Sequence, residues 1–387
     1  MTWRLVALAA LAAACSKHSK PNATPDFFGK TIVPPGKLAA LEPGTPMADA
    51  AKLAGDLLGP CKLSVPSGVG DITLEVSCGS TNPPVAMHVA AHVKKGSALA
   101  TPGLRPSLES VWGKPADTVP NYGWAGDRWY AELDPEGQLG TVNYSPLATT
   151  ATFGTTPASL PAGLESLRPG MKRPDLQKLA SEQMGFGTLD AEGLGLAFVG
   201  LADATGLSQV QVRLHTRDVA LVQLAWGAPQ SESLAPTHVQ SWLSPATGWR
   251  ADLTIAAPPK VNLLRYVPYT PLSQLLAAGP AGDGPQIAMA LLGKSPIAPV
   301  QHMLPHDFKQ LAATEFATTN VLRVKEELKG PVTEVELVLG YESPAAGAAL
   351  KQVLDTMWGA PKGGVYRDAN PHIEATDTQG AWHVTIR

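Results

Sequence analysis

The sequence predicts an α+β protein made of three tandem copies of an α-β-β-α-β-β unit, each an antiparallel sheet with helices packed on one face. Three observations predict it. The tetrad Trp-Gly-X-Pro occurs at Trp112-Gly113-Lys114-Pro115, Trp226-Gly227-Ala228-Pro229 and Trp358-Gly359-Ala360-Pro361. Ahead of each tetrad runs a strand-like alternation of apolar and polar residues, and behind each comes a Trp-led strand. With 387 residues, 44% of them hydrophobic, the chain is long enough for two or three domains with cores of their own.

The elements follow in order. Two copies open on like helical phrases, Leu38-Ala39-Ala40-Leu41-Glu42-Pro43-Gly44 and Leu164-Glu165-Ser166-Leu167-Arg168-Pro169-Gly170, and Leu304-Pro305-His306-Asp307-Phe308 is a weaker third counterpart. A candidate hairpin comes next. It pairs Ile72 to Val76 with Val85, Met87, Val89, Ala91 and Val93, then Leu194 to Leu201 with Val210, Val212 and Leu214, then Val321 to Val324 with Val335, Leu337 and Leu339. The helix ending in each tetrad is clearest in the third copy, where Leu350, Val353, Leu354 and Met357 share one face. Ser343-Pro344 supplies its N-cap and first-turn proline. In the tetrad the glycine takes the left-handed turn and the proline beyond it cannot continue the helix. The Trp-led strands begin at Trp129, Trp249 and Trp382, and two copies finish on Tyr144-Ser145-Pro146-Leu147 and Tyr269-Thr270-Pro271-Leu272. These phrases set the units at 37–147, 163–272 and 298–387, with linkers rich in Ala, Gly, Pro and Thr at 148–162 and 273–297.

The N-terminus has a different character. Arg4 followed by an apolar run from Leu5 to Ala14 has the layout of a signal peptide, 1–14, too short for the roughly 20 apolar residues a membrane span needs. Ala12-Ala13-Ala14-Cys15 resembles the lipobox of bacterial lipoproteins, with the leucine one position earlier than usual, at Leu11. That resemblance implies cleavage before Cys15 and lipidation of its thiol, which with several acyl chains is a stable anchor. Ser16 after the cysteine then implies sorting to the outer membrane. Ordinary cleavage after Ala14, leaving a free thiol, is the alternative. Residues 15–36 read as a flexible tether. Cys61 and Cys78 form an even pair in a compartment that permits disulfides, and a bridge is favoured over two buried thiols.

The Leu-X-X-Leu-X-Pro-Gly opening, the helix ending in Gly-X-Pro and the Trp-led strand before Gly137 resemble the small lipoprotein of the outer-membrane β-barrel assembly machinery and the related β-lactamase-inhibitor-like fold. The resemblance implies an antiparallel sheet with helices on one face and a protein-binding role. It carries over no functional residue.

The sequence offers little chemistry. It holds no His-Glu-X-X-His, Gly-X-Ser-X-Gly, Walker, Gly-X-Gly-X-X-Gly or Cys-X-X-Cys motif. The near balance of 30 basic and 33 acidic residues provides no basic field for nucleic acid. His88 and His92 share one face of a strand and are the best metal candidates, but no third ligand is evident. His302 and His306, beside Asp307, are separated by Pro305. Six of the nine tryptophans recur at matching places, as core residues would, and Trp3 lies in the signal peptide. Trp124 and Trp242 remain as candidate partner-binding aromatics, with simple packing as the competing reading. The expected role is a lipid-anchored protein-binding or scaffold module of the outer membrane, without cofactor or metal, whose partners are the membrane and another envelope protein. An enzyme or metal-dependent activity using scattered residues such as His88 and His92, and a small-ligand carrier with a pocket between units, are the alternatives.

Overall fold

The computed structural model describes residues 27–387 apart from 55, 60, 79–85, 95–102, 119–120, 134–139, 162–163, 173, 177–187, 192–195, 200–201, 204–205, 235–236, 258–261, 279–283, 295–308 and 327–329. The expectations for Cys15, the signal peptide, His302, His306 and the Leu304 to Phe308 helix lie outside the described residues.

The chain is mixed α+β with three main antiparallel sheets, met one after another along the sequence. The first runs, in spatial order, Asp56–Gly59, Lys62–Pro66, Ile72–Cys78, Ala86–Val93, Gly140–Pro146, Trp129–Leu133 and Tyr122–Ala125. The second runs Val210–Leu214, Asn262–Pro268, Trp249–Ile255, His238–Ser244 and Ser231–Ser233. The third runs Lys309–Leu311, Asn320–Glu326, Val332–Gly340, Ala381–Ile386, Ile373–Thr378 and Val365–Arg367. In all three, the strand that leads into the tetrad helix lies beside the last strand of its sheet. Each sheet has its own hydrophobic core.

The tetrad helices are Leu104–Trp112, Thr216–Trp226 and Pro344–Trp358. Each stops at its tryptophan because the next residue is a glycine with φ of +77°, +70° or +85°, a backbone state L-residues rarely take. As expected, Ser343 caps the third helix, its hydroxyl accepting from the Ala346 N–H at 3.2 Å, with Pro344 in the first turn. The helix tryptophans meet aromatic edges from the sheet. Trp112 lies 5.6 Å from Trp124 at 65°, Trp226 lies 5.4 Å from Trp242 at 67°, and Trp358 lies 5.6 Å from Tyr366 at 72°. In the first two sheets the sheet indole also donates to the tetrad glycine carbonyl, Trp124 Nε1 to Gly113 at 2.9 Å and Trp242 Nε1 to Gly227 at 3.1 Å. One buried row crosses each of these two sheets: Trp124–Ala131–Tyr144–Val89 and Trp242–Ala251–Tyr266–Val210.

A second motif recurs at a glycine with positive φ. Gly44 N–H donates to Ala86 O and Ala86 N–H donates back to Thr45 O. Gly170 and Met171 make the same two bonds with Leu207, and Gly293 and Lys294 make them with Val332. In the first and third cases the bonds tie the turn to the first residue of the strand that leads into the tetrad helix, and in the second to Leu207, three residues ahead of Val210–Leu214.

These registers revise several sequence expectations. Ahead of the third sheet the glycine with these bonds, Gly293, follows Gln286–Met289, within the residues 273–297 expected as a linker. Trp382 does not match Trp129 and Trp249, which sit in middle strands paired with Pro146 and Pro268; its strand instead borders the strand before the helix, with Trp382 opposite Leu339. Tyr144-Ser145-Pro146 therefore corresponds to Tyr266-Val267-Pro268, three residues earlier than the Tyr269 phrase. Spacing alone misaligned them because Tyr-X-Pro occurs at both places. Ahead of the second sheet, Leu196–Val199 is hydrogen-bonded to Thr188–Ala191 and also lies alongside Val210–Leu214, as expected, but in a separate ladder.

The expected linkers are also packed. Phe28 and Phe153 are buried; Trp112 Nε1 donates to Gly29 O, next to Phe28, and Trp226 Nε1 donates to Phe153 O. Leu272 and Leu276 enter the third core. Leu160 is buried as well, and Leu275, Ile287, Met289, Leu291 and Leu292 are partly buried against the third core.

Cys61 and Cys78 form a disulfide across neighbouring strands, closing a loop of sequence separation 17. Replacing both by alanine is expected to lower stability by about 3 kcal/mol in a urea titration, from loop-closure entropy. Trp242→Phe keeps most of the packing but gives up the hydrogen bond to the carbonyl of the exposed Gly227, so it is expected to cost about 0.5–1.5 kcal/mol. Leu224→Ala, at a side chain 73% exposed, is expected to change stability by less than about 0.5 kcal/mol.

Candidate functional site

The residues singled out from sequence do not converge. Trp124 and Trp242 are corrected as partner-binding aromatics: they are 2% and 0% exposed, and each spends its indole N–H on a tetrad glycine. A side chain in that position presents no surface to a partner. His88 and His92 lie half-buried on the strand Ala86–Val93, and His92 Nδ1 is 3.1 Å from Thr141 Oγ1. Among the described residues no group of three His, Cys, Asp or Glu side chains is placed to hold a metal ion.

The structure brings polar chemistry together elsewhere, where one sheet meets the next. In each middle strand the residues one and three places after the tryptophan face away from the core, at Tyr130 and Glu132 in the first sheet and Arg250 and Asp252 in the second. Both positions are covered by the residues that begin the next tetrad helix.

At the first junction the Tyr130 hydroxyl donates to Asp117 Oδ2 at 2.7 Å, and the other oxygen of Asp117 accepts the Thr216 N–H at 2.9 Å. The His215 ring stacks on Tyr130 with centroids 4.3 Å apart, and its Nε2 lies 3.4 Å from Glu132 Oε1. Asp218 accepts the His215 backbone N–H at 3.2 Å. Burial raises the Glu132 pKa above its ordinary value, with His215 opposing, and raises that of Asp218 for the same reason. The Tyr130 hydroxyl is pushed upward by burial and by Asp117.

At the second junction Arg250 is 1% exposed. Its Nε donates to Asp252 at 2.9 Å, Nη1 to Thr314 O at 2.9 Å, and Nη2 to Ser241 Oγ at 3.2 Å and Glu342 Oε1 at 2.5 Å. Glu342 immediately precedes the Ser343 cap. Burial works against the guanidinium charge, and Asp252 and Glu342 more than offset it, so its pKa lies above the ordinary value. Backbone bonds reinforce the seam: Ala313 N–H donates to Pro268 O at 2.7 Å, and Thr270 N–H to Ala313 O at 2.9 Å.

Beside this seam lies a groove of about 320 Å³, lined from the second sheet by Gly170, Leu207 and Pro268 and from the third by Leu311 and Ala313. Its neighbouring backbone groups are already paired: Leu207 O accepts from Gly170, and Ala312 O from Asn320. Ser208 and Thr318 also line it, so the groove offers apolar contact and hydroxyl groups together.

Comparison with protein-family models, with curated proteins and with solved structures gives no match for this chain. The site therefore rests on the chain's own geometry. Sequence reasoning missed the junctions because their residues are far apart, Arg250 and Glu342 being joined by neither spacing nor motif. A signal was present all the same, since an arginine and an aspartate inside the Trp249 strand are unusual for a buried sheet face.

Arg250→Met is expected to destabilise the protein by about 3 kcal/mol in chemical denaturation, because Asp252 is left buried with only the Ser241 hydroxyl and the half-exposed Arg265 as partners. Adding Asp252→Asn is expected to recover part of that loss. Glu132 has a folded pKa above the ordinary 4.5, so it favours folding most below that value, and its contribution falls as pH rises through the folded pKa. Glu132→Gln is expected to remove that part of the pH dependence, measured as the difference between variant and parent stability curves.

Proposed function

We propose that this chain is a lipid-anchored envelope scaffold: three tandem α+β units, tethered through Cys15 to the outer membrane, joined head to tail and presenting a firm surface to another envelope protein. The observation that carries the reading is the double hydrogen bond at Gly44, Gly170 and Gly293, repeated together with a helix ending Trp-Gly on each of three sheets. Such recurrence at three places supports duplication of one unit over chance likeness of short phrases. Units that contact only their neighbours form an extended array, an architecture suited to binding along a surface.

The anchoring half of the reading is supported by the apolar run before Cys15 and by the small residues Ala12 to Ala14. The disulfide between Cys61 and Cys78 fits an oxidising compartment. A protein-binding role is supported by the outward-facing polar positions that already dock one unit on the next. The groove beside Arg250 favours a second reading, a carrier for a small molecule with both apolar and polar groups, because it spans two sheets and is lined by Leu207, Val267, Pro268 and Leu311 together with Ser208 and Thr318.

The test is made in cells. The parent protein is expected to fractionate with membranes and to carry acyl mass on a peptide beginning at Cys15, and Cys15→Ser is expected to move it to the soluble fraction. A parent found soluble, with an unmodified thiol, would contradict the anchor. Cross-linking in intact envelopes is expected to join the anchored chain to another envelope protein. Native mass spectrometry that instead finds a stoichiometric small molecule, lost on Ala312→Trp, would favour the carrier.

A further inference from the structure

The two junctions differ in how much space they leave. Each lies at the end of a last strand, where residues of the next sheet approach Pro146 in one case and Pro268 in the other. At the first junction the space is about 10 Å³, and Tyr130, His215, Arg217 and Asp218 crowd around it. At the second it is the groove of about 320 Å³. Arg250, the counterpart of Tyr130, is not among the residues that line this groove. Its guanidinium is held instead by Asp252, Thr314 O, Ser241 and Glu342.

We propose that this groove is a preformed site for a small uncharged molecule with an apolar body and a hydrogen-bonding group. The proposal rests on the reading of the groove as a carrier site, and goes further by fixing the charge of the cargo. None of the residues described along the groove is charged. Leu207, Val267 and Leu311 offer apolar contact, and the polar side chains are the hydroxyls of Ser208 and Thr318. An ionised molecule entering it would leave water for walls that hold no opposite charge, which is costly. A neutral one avoids that cost and still gains from burying its apolar surface. The volume is on the order of ten waters at ~30 Å³ each, enough for a molecule of a few rings.

The walls are fixed by the chain itself. On one side the Gly170 N–H donates to Leu207 O, and the Leu207 N–H donates back to Met171 O. On the other, the Ala313 N–H donates to Pro268 O at 2.7 Å, and Ala312 O accepts from Asn320 Nδ2 at 3.1 Å. Glu342 Oε1 accepts from Arg250 Nη2 and also from the Thr318 N–H at 3.2 Å. The clamp that joins the two sheets therefore also holds one of the two hydroxyl-bearing residues in place. A site built in this way loses little binding energy to ordering its own walls.

The test is a fluorescence titration of the full chain carrying Cys15→Ser, so that no acyl chain or detergent takes up the dye. Two probes share a ring skeleton and differ in charge: neutral N-phenylnaphthylamine and anionic anilinonaphthalene sulfonate. The neutral probe is expected to saturate a single site, and the anionic probe to bind at least about tenfold more weakly. Ala312→Trp and Ser208→Trp fill the groove from opposite sides, and each is expected to abolish binding of the neutral probe. A cooperative urea transition shows that a variant has folded, and the ratio of the two affinities in the parent needs no variant at all. Binding of the neutral probe that survives in a folded variant would overturn the proposal. So would an anionic probe that binds as tightly as the neutral one and is lost in the same variants, an outcome that leaves the carrier reading standing. Saturable binding of neither probe would overturn the proposal and the carrier reading together.

Discussion

The structure depends on how a helix is stopped. An indole at the last helical residue packs edge-on against an aromatic ring from the sheet, and a glycine turns the chain away through a backbone state closed to most residues. In the first two sheets the sheet indole also satisfies the carbonyl exposed by that turn. A buried indole needs a partner for its N–H, and the carbonyl left free at the helix end supplies it, so one tryptophan gains both apolar contact and its hydrogen bond. This fixes where the helix ends over its sheet, and the strand before the helix and the last strand are then held side by side.

From that arrangement follows the pattern of the junctions. A middle strand that buries Trp129 or Trp249 must turn the next residue to its other face, since successive side chains alternate. Tyr130 and Arg250 are thereby exposed to whatever covers the sheet from outside. What covers them is the start of the next helix, with its unpaired N–H groups and adjacent charged residues. Burying charge there is tolerated because the donors and acceptors are nearly all matched, most fully around Arg250.

Much of this was legible in the sequence, and the losses have identifiable causes. The tetrads, the Ser343 cap, the disulfide and the hairpin of the third sheet could be read directly, because each rests on local chemistry or on alternation. The register of the last strands could not. Tyr-X-Pro occurs twice near the end of the second unit, and only pairing with Trp249 distinguishes Pro268 from Pro271. The turn before Gly293 was missed because Gln286–Met289 lacks the Leu-X-X-Leu-X-Pro phrase, leaving only the glycine and its two backbone bonds. Trp124 and Trp242 looked spare to a reading that aligned the Trp-led strands, although they are the partners of the helix tryptophans. The joints were invisible because they depend on contacts between distant segments, such as Asp117 with Thr216.

The proposed threefold duplication rests most on the backbone bonds at Gly44, Gly170 and Gly293, the feature least tied to side-chain identity. Amide exchange resolved at Gly44, Gly170 and Gly293 in one sample tests it most directly. The account predicts that all three amides are protected well above the rate of a free chain, the third as clearly as the first two. A freely exchanging Gly293 beside protected Gly44 and Gly170 would contradict it.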